Sequence, residues 1–301
     1  MLINRKDTEA CKIIASQFIG LSIGDKVPTV SEISTNFSLG RGTIQEAIKI
    51  LSDDKAIDII SRGHLGSYVK EVDYKLLLSY SGSDILLGAM PLPYTLRYQG
   101  LATGILAALD NEYGIETSMA YLRGSERRIA LLLKNKIDYA VTSYLSAKES
   151  INKGANVKII AKMHDNSYLS NHAILFADKT KNAIEDGMIV GIDYNSVDQV
   201  TMTNYVCQNK KVKFENVVYN QSKYLIQNHI IDAIVWNIDE ISDSQIHYVE
   251  LDSNFAGGNV AVILVNKDRI GIENIFKQIF VQEKVKIYEE KVLNHEMTII
   301  N

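Results

Sequence analysis

From residue 84 onward, short apolar runs of strand length alternate with longer amphipathic runs of helical period, and the series occurs twice. "DILLGAM", "ETSMAYL" and "IDYAVTS" are separated by "GLATGILAALDNEYG" and "SERRIALLLKNK". After two crossing blocks, "VKIIAKM" and "HAILFAD", the order restarts with "GMIVGID", "SVDQVTMTNYVCQ", "VKFENVVY", "SKYLIQNH" and "IDAIVWN". "GNVAVILVNK" adds a strand, and one helix is predicted from about Glu273 to Leu293. Such alternation predicts mostly parallel sheets with helices on both faces. Here it predicts two α/β lobes with a cleft between them. The halves even end alike, Asn135 before "IDYAV" and Asn228 before "IDAIV".

The first 70 residues follow another plan. Cys11, Ile14, Ala15 and Phe18 fall on one helix face. After the loop "GDKVP", "TVSEISTNF" opens with Thr29-x-x-Glu32, a capping box in which the hydroxyl takes a free amide and the carboxylate reaches back. In "SLGRGTIQEAIKIL", Ile44, Ala47, Ile48 and Leu51 stand at helical spacing, which leaves Arg41, Gln45 and Lys49 stacked on the opposite face. A strand (57–60), a turn with Gly63 and Gly66, and a second strand (67–70) complete the order of a winged helix-turn-helix. Arg62 and His64 at the wing tip are placed to touch DNA. Residues 71–83 read as a linker and 84–301 as the second, ligand-sensing domain.

"VPTVSEISTNFSLGRGTIQEAIKILSDDKAIDIISRGHLGSYV" resembles the DNA-binding domain of GntR-type bacterial transcription regulators. The resemblance implies that Arg41, Gly42, Thr43 and Gln45 open the recognition helix and that Gly63 and Gly66 shape the wing. The chain departs from the family's pattern where Ser31 and Gln45 replace arginines. Glutamine still pairs with adenine as arginine does with guanine. "SERRIALLLKNKIDYAVTSY" carries a second resemblance, to the type II periplasmic-binding-protein fold used as the effector domain of many bacterial regulators. The combination resembles the YhfZ-like regulator group.

Ligands of open α/β sheets sit beyond the carboxyl ends of the strands, against helix N-termini. That rule selects Tyr94 and Arg97 after the first strand, Arg123 and Ser125 after the second, and Ser143 after the third. In the other lobe it selects Ser196 and Asn237. Arginines at strand ends and serines at helix starts favour a small anionic effector.

Composition bounds the rest. The chain has 301 residues, 46% hydrophobic, with a net charge of −4. Residues 1–70 hold 9 Lys/Arg against 8 Asp/Glu, so DNA binding depends on where the few cations point. "MLINRKDTEACK" lacks the apolar core of a signal peptide, no run reaches membrane-span length, and the two cysteines have no metal-like or redox-like spacing. A cytoplasmic protein without a membrane segment is expected. His164 and His172 flank Asp165 at a spacing unsuited to metal, and neither a nucleophile triad nor a glycine-rich phosphate loop occurs. No catalytic residue, metal or cofactor is expected.

These observations predict a ligand-responsive, DNA-binding transcription regulator, homodimeric so that two heads meet a palindromic operator. An enzyme or solute binder with a vestigial winged helix stays open as the alternative, because of the two missing arginines.

Overall fold

The computed structural model describes residues 5–82, 85–241, 246–251, 257–280 and 282–298. Residues 83 and 84, where the sequence reading starts the second domain, lie outside these. In chain order the elements begin with α1 (Arg5–Phe18), α2 (Val30–Phe37), α3 (Arg41–Asp53), β1 (Ile57–Ser61), β2 (Ser67–Val72) and α4 (Tyr74–Tyr80). There follow β3 (Leu86–Met90), α5 (Leu96–Tyr113), β4 (Thr117–Tyr121), α6 (Ser125–Leu133), β5 (Tyr139–Ser143), α7 (Tyr144–Asn152) and β6 (Val157–Lys162). Next come β7 (His172–Phe176), β8 (Ile189–Ile192), α8 (Val197–Val206), β9 (Lys213–Asn216), α9 (Ser222–Gln227) and β10 (Ala233–Asn237). The chain closes with β11 (His247–Glu250), β12 (Ala261–Asn266), α10 (Ile270–Ile279) and α11 (Gln282–Leu293).

Two compact units result. One holds the residues up to 86 together with 109–118 and 267–280, the other 87–108, 119–266 and the residues from 281. In the first unit, Ile14, Phe18, Ile33, Ile44, Ala47 and Leu51 bury the facing stripes of three helices. The capping box forms: Glu32 N donates to Thr29 Oγ1 (3.2 Å), and Thr29 N donates to Glu32 Oε2 (2.7 Å). Ser38 ends α2 at φ 54°, and Gly40 caps α3, so the turn between them is short. β1 and β2 form the antiparallel hairpin, closed by a 3₁₀ turn in which Gly63 and Gly66 take φ of 60° and 98°. The stretch 71–83 contributes the end of β2 and α4, whose first turn Asp73 caps through Leu76 N (3.0 Å). The single helix expected over 273–293 is two, α10 and α11. α10 belongs to the first unit, where Asn274 Nδ2 donates to the Ile19 carbonyl (3.2 Å).

The second unit contains most of both lobes. Their sheets run β4-β3-β5-β12-β6 and β11-β7-β10-β8-β9. Each is mixed, where alternation alone predicts mostly parallel strands. β12 lies antiparallel to β5 and β6, and β7 antiparallel to β10 and β11. These are the strands on which the chain first re-enters a sheet after crossing between lobes, so no local βαβ crossover sets their direction. α7 and β11 have no counterpart in the sequence reading.

The repeated "ID" has a physical basis. Asp138 N donates to the Leu87 carbonyl (2.7 Å), while its carboxylate accepts from Leu87 N (2.8 Å). Asp232 does the same with Ile189 (2.8 and 2.7 Å), so one aspartate clamps the first strand of each parallel pair. The residues in left-handed conformation before each clamp are Asn135 (φ 52°) and His229 (φ 53°). The true counterpart of Asn135 is therefore His229, one place after Asn228.

Candidate functional site

The strand ends of the two lobes enclose a cavity of about 90 Å³. Two polar links hold its walls together. Arg123, after β4, forms an ion pair with Asp193, at the end of β8. Asp193 is buried and also accepts from Asn195 N (3.0 Å) and Tyr219 N (3.1 Å). In the second link Asp198 on α8 accepts from Ser143 Oγ (2.8 Å) and Ser146 Oγ (3.0 Å) of the first lobe. Burial raises the Asp198 carboxyl above its ordinary range, against the lowering effect of the two serines. Gly124 takes φ 83° and admits the Asn195 carbonyl, which a Cβ there would meet at 3.0 Å.

The side chain that sets the chemistry of this cavity is Arg128. It is 3% exposed, lines the cavity, and has no carboxylate within ion-pair distance among the described residues. Its guanidinium donates to the carbonyls of Leu122 (2.7 Å) and Val141 (3.1 Å), and its second terminal nitrogen lies 3.5 Å from Thr142 Oγ1 and Tyr168 OH. Beside it, Ser125 Oγ is buried without a hydrogen-bond partner among the described residues at the start of α6, where backbone amides also point outward. A buried cation, an unpartnered hydroxyl and a helix N-terminus make a site for an anion. Tyr98 and Tyr168, ring centroids 5.1 Å apart edge to face, wall it with apolar surface; burial raises both phenols.

Of the residues selected from strand ends, Tyr94, Arg123, Ser125, Ser196 and Asn237 line the cavity. Ser143 stands behind it, capping α7 through Ser146 N (3.0 Å) and bonding Asp198. Ser196 caps α8. Arg97 points elsewhere: it donates to the Asn166 carbonyl (2.8 Å) and lies 3.8 Å from both Glu289 and Asp239. Trp236 is core, covered on the cleft side by Tyr219 stacked at 4.0 Å. Sequence reasoning missed Arg128, Tyr98, Tyr168 and Asp193. For Arg128 a signal existed. Ser125, Arg128, Ile129 and Leu132 form the buried stripe of α6, so this arginine occupies a core position.

His172 also lines the cavity, and burial pulls its imidazole down to about 4. The unfolded chain takes up that proton near pH 6.5. This contribution to stability is complete above pH 6.5 and declines by about 3 kcal/mol as pH falls through 4. The raised carboxyls of Asp198 and Glu289 act in the opposite sense. Urea unfolding of wild type and His172→Gln isolates the histidine: the wild type should lose stability relative to the variant between pH 6.5 and 4. Parallel profiles would refute its burial as the neutral form.

In the first unit, Arg41, Gly42, Gln45 and Lys49 are exposed along α3 and Thr43 is half-buried. Arg62 and His64 are exposed at the wing, with the Arg62 guanidinium 4.7 Å above the Tyr68 ring. Lys26, not selected from sequence, joins the wing through a bridge to Tyr68, its stem packed on Gly66. Lys70 is paired with Asp58 (2.6 Å). Ser31 is exposed on α2.

Residues 22–69 match the model of a helix-turn-helix domain, and residues 73–299 that of the YhfZ C-terminal domain. The YhfZ protein of Escherichia coli (strain K12) is 27% identical over 299 residues, covering 97% of this chain and 96% of its own length. The crystal structure of YhfZ from Shigella flexneri superimposes with a TM-score of 0.65 at 26% identity, over 76% of this chain and 98% of that one. The periplasmic aliphatic sulphonate binding protein SsuA from Escherichia coli shares the fold at 13% identity (TM-score 0.53), over 71% and 75% of the two chains. The second domain thus has the periplasmic-binding-protein fold, behind a helix-turn-helix head. With a family match over three-quarters of its length, the chain belongs to the YhfZ C-terminal domain family.

Proposed function

We propose that the protein is a transcription regulator of the cytoplasm, whose operator binding responds to a small anionic metabolite held in the interlobe cleft. The observation that carries the ligand half is Arg128, a buried guanidinium without a carboxylate partner among the described residues, beside the unpartnered Ser125 hydroxyl. The DNA half is supported by the exposed stripe Arg41, Gln45 and Lys49 within a helix-turn-helix match. The head is read as GntR-type, on the run from Val27 to Val69, which is ungapped through the helix-turn-helix, and the sensor as a type II binding-protein domain. A homodimer suits this role, because two heads then read two half-sites.

The cleft is read as a sensor and not a catalyst. Asp193 and Asp198 are engaged in holding the lobes, and His172 is buried as the neutral form. Closure then follows from the ligand's preference for the closed form, which requires contacts to both lobes.

A mobility-shift titration on DNA upstream of the protein's own gene tests the reading. Affinity should fall steeply with salt, since each phosphate contact releases counterions. Arg41→Ala should abolish specific binding, and Gln45→Ala should relax preference at one base position, each at a cost of ~1–3 kcal/mol. A small carboxylate or phosphate that raises the melting temperature should also change the shift. Binding indifferent to salt and to Arg41→Ala would instead favour the solute binder with a vestigial head.

A further inference from the structure

Among the described residues, the edge strand β9 is the most open element of the second lobe. All four of its residues are exposed, including Phe214 at 40%. It pairs with β8 on one side only among the described residues. Its parallel register (Ile189 with Lys213, Ile192 with Asn216), together with the bonds Lys213 N to the Met188 carbonyl and Val217 N to the Ile192 carbonyl (both 2.9 Å), fixes the hydrogen-bonding phase. In a parallel ladder alternate residues bond the same neighbour. Lys213, Glu215 and Val217 therefore turn their backbone groups toward β8. Phe214 and Asn216 turn theirs outward, a row of donors and acceptors open to another strand.

We propose that β9 is a dimer surface, on which a second copy of this chain adds its own β9 antiparallel, about a two-fold axis midway between the two copies of Phe214. That axis satisfies both the backbone and the side chains. Phe214 exchanges two hydrogen bonds with Phe214 of the second copy, since its outward groups are in the right phase to do so. The residues opposite one another are then 213 and 215, so Lys213 of each copy faces Glu215 of the other. The two side chains share one face of the strand, 3.8 Å apart within the chain and both exposed, and are free to exchange partners. On the other face the two Phe214 rings meet as a cross-strand aromatic pair. A two-fold interface requires such self-complementarity, and like charges at 213 and 215 would forbid it. The assembled sheet would be continuous through both second lobes. The inference rests on the homodimer reading and adds its surface.

Sedimentation equilibrium of the full-length chain at low salt tests it. The wild type should be dimeric. Lys213→Glu and Glu215→Lys each place like charges opposite one another twice per dimer, and should raise the dissociation constant by at least about tenfold. The double variant Lys213→Glu/Glu215→Lys restores opposite charges at both positions and should return it to near the wild-type value. Both sites are solvent-exposed, so all three variants should fold. A chain monomeric at every concentration would overturn the dimer and this surface together. A dimer indifferent to the single swaps, or one that the double swap does not restore, would overturn the surface alone.

Discussion

Arg128→Met is expected to abolish recognition of anions by the cleft, with binding weakened by roughly 30-fold to more than 1000-fold. The side chains have similar length, but methionine removes the only cavity-lining guanidinium that lacks a carboxylate partner among the described residues. Losing one partner of a buried charge pair costs about 2–5 kcal/mol in binding, which gives that range. The variant should also be less stable, because the Leu122 and Val141 carbonyls lose their donors, at about 1–3 kcal/mol. Arg128→Lys keeps the charge without the planar fork and should fall between. Calorimetric titration with a carboxylate or phosphate found by thermal-shift screening measures each. Binding by Arg128→Met at wild-type strength would refute the anion site. Arg123→Ala acts differently: that arginine is already paired with Asp193, so its loss should loosen lobe closure.

A large effect on stability is expected at Gly104. On α5, Gly100 and Gly104 lie against α11, and a Cβ at Gly104 would stand 2.6 Å from the Val285 carbonyl oxygen. That oxygen is backbone, so no rotamer change relieves the clash and the helices must part. Alanine in a helix interior gains about 1 kcal/mol over glycine. Overpacking costs typically 1–3 kcal/mol and sometimes more. Gly104→Ala should therefore be destabilising on balance, and Gly104→Leu by at least about 3 kcal/mol. Gly42→Ala is the control: beyond its own helix backbone and chain neighbours, no atom of the described residues lies within 4 Å of where a Cβ would stand, so mainly the propensity gain remains. Urea midpoints rank the variants, and a Gly104→Leu chain as stable as wild type would show that α11 packs loosely.

The legible parts of this chain are those set by local rules. The capping box at Thr29, the stripe Ile44, Ala47 and Leu51, and the helix starts at Ser125 and Ser196 follow from contacts within a few residues. The rule of strand ends found five cavity residues for the same reason. What escaped depends on distant partners. The direction of β7 and β12 is set by strands far away in the chain. α7, "YLSAKESIN", has only a weak apolar stripe, and just Ser146 and Ala147 are buried. Arg97 sits near a strand end as the rule asks, but Glu289 and Asp239 draw it aside. Asp193 passes for an ordinary carboxylate at a strand end until the opposite lobe supplies Arg123.

The place of β12 bears on how the protein is made. It lies between β5 and β6, pairing with both, yet it follows every strand of the other lobe in the chain. A ribosome therefore releases β6 long before β12, its one neighbour among the described residues, exists, while β7 to β11 emerge as a set that completes its own sheet. The second lobe should reach its native sheet first during synthesis, with the first lobe held as an unfinished sheet until residue 266 is free. Pairing across so long a sequence separation is slow, and the waiting edges of β5 and β6 are open to wrong partners. Chaperone dependence should then concentrate in chains that have released residue 251 but not residue 266 from the ribosome, and disappear once β12 has docked.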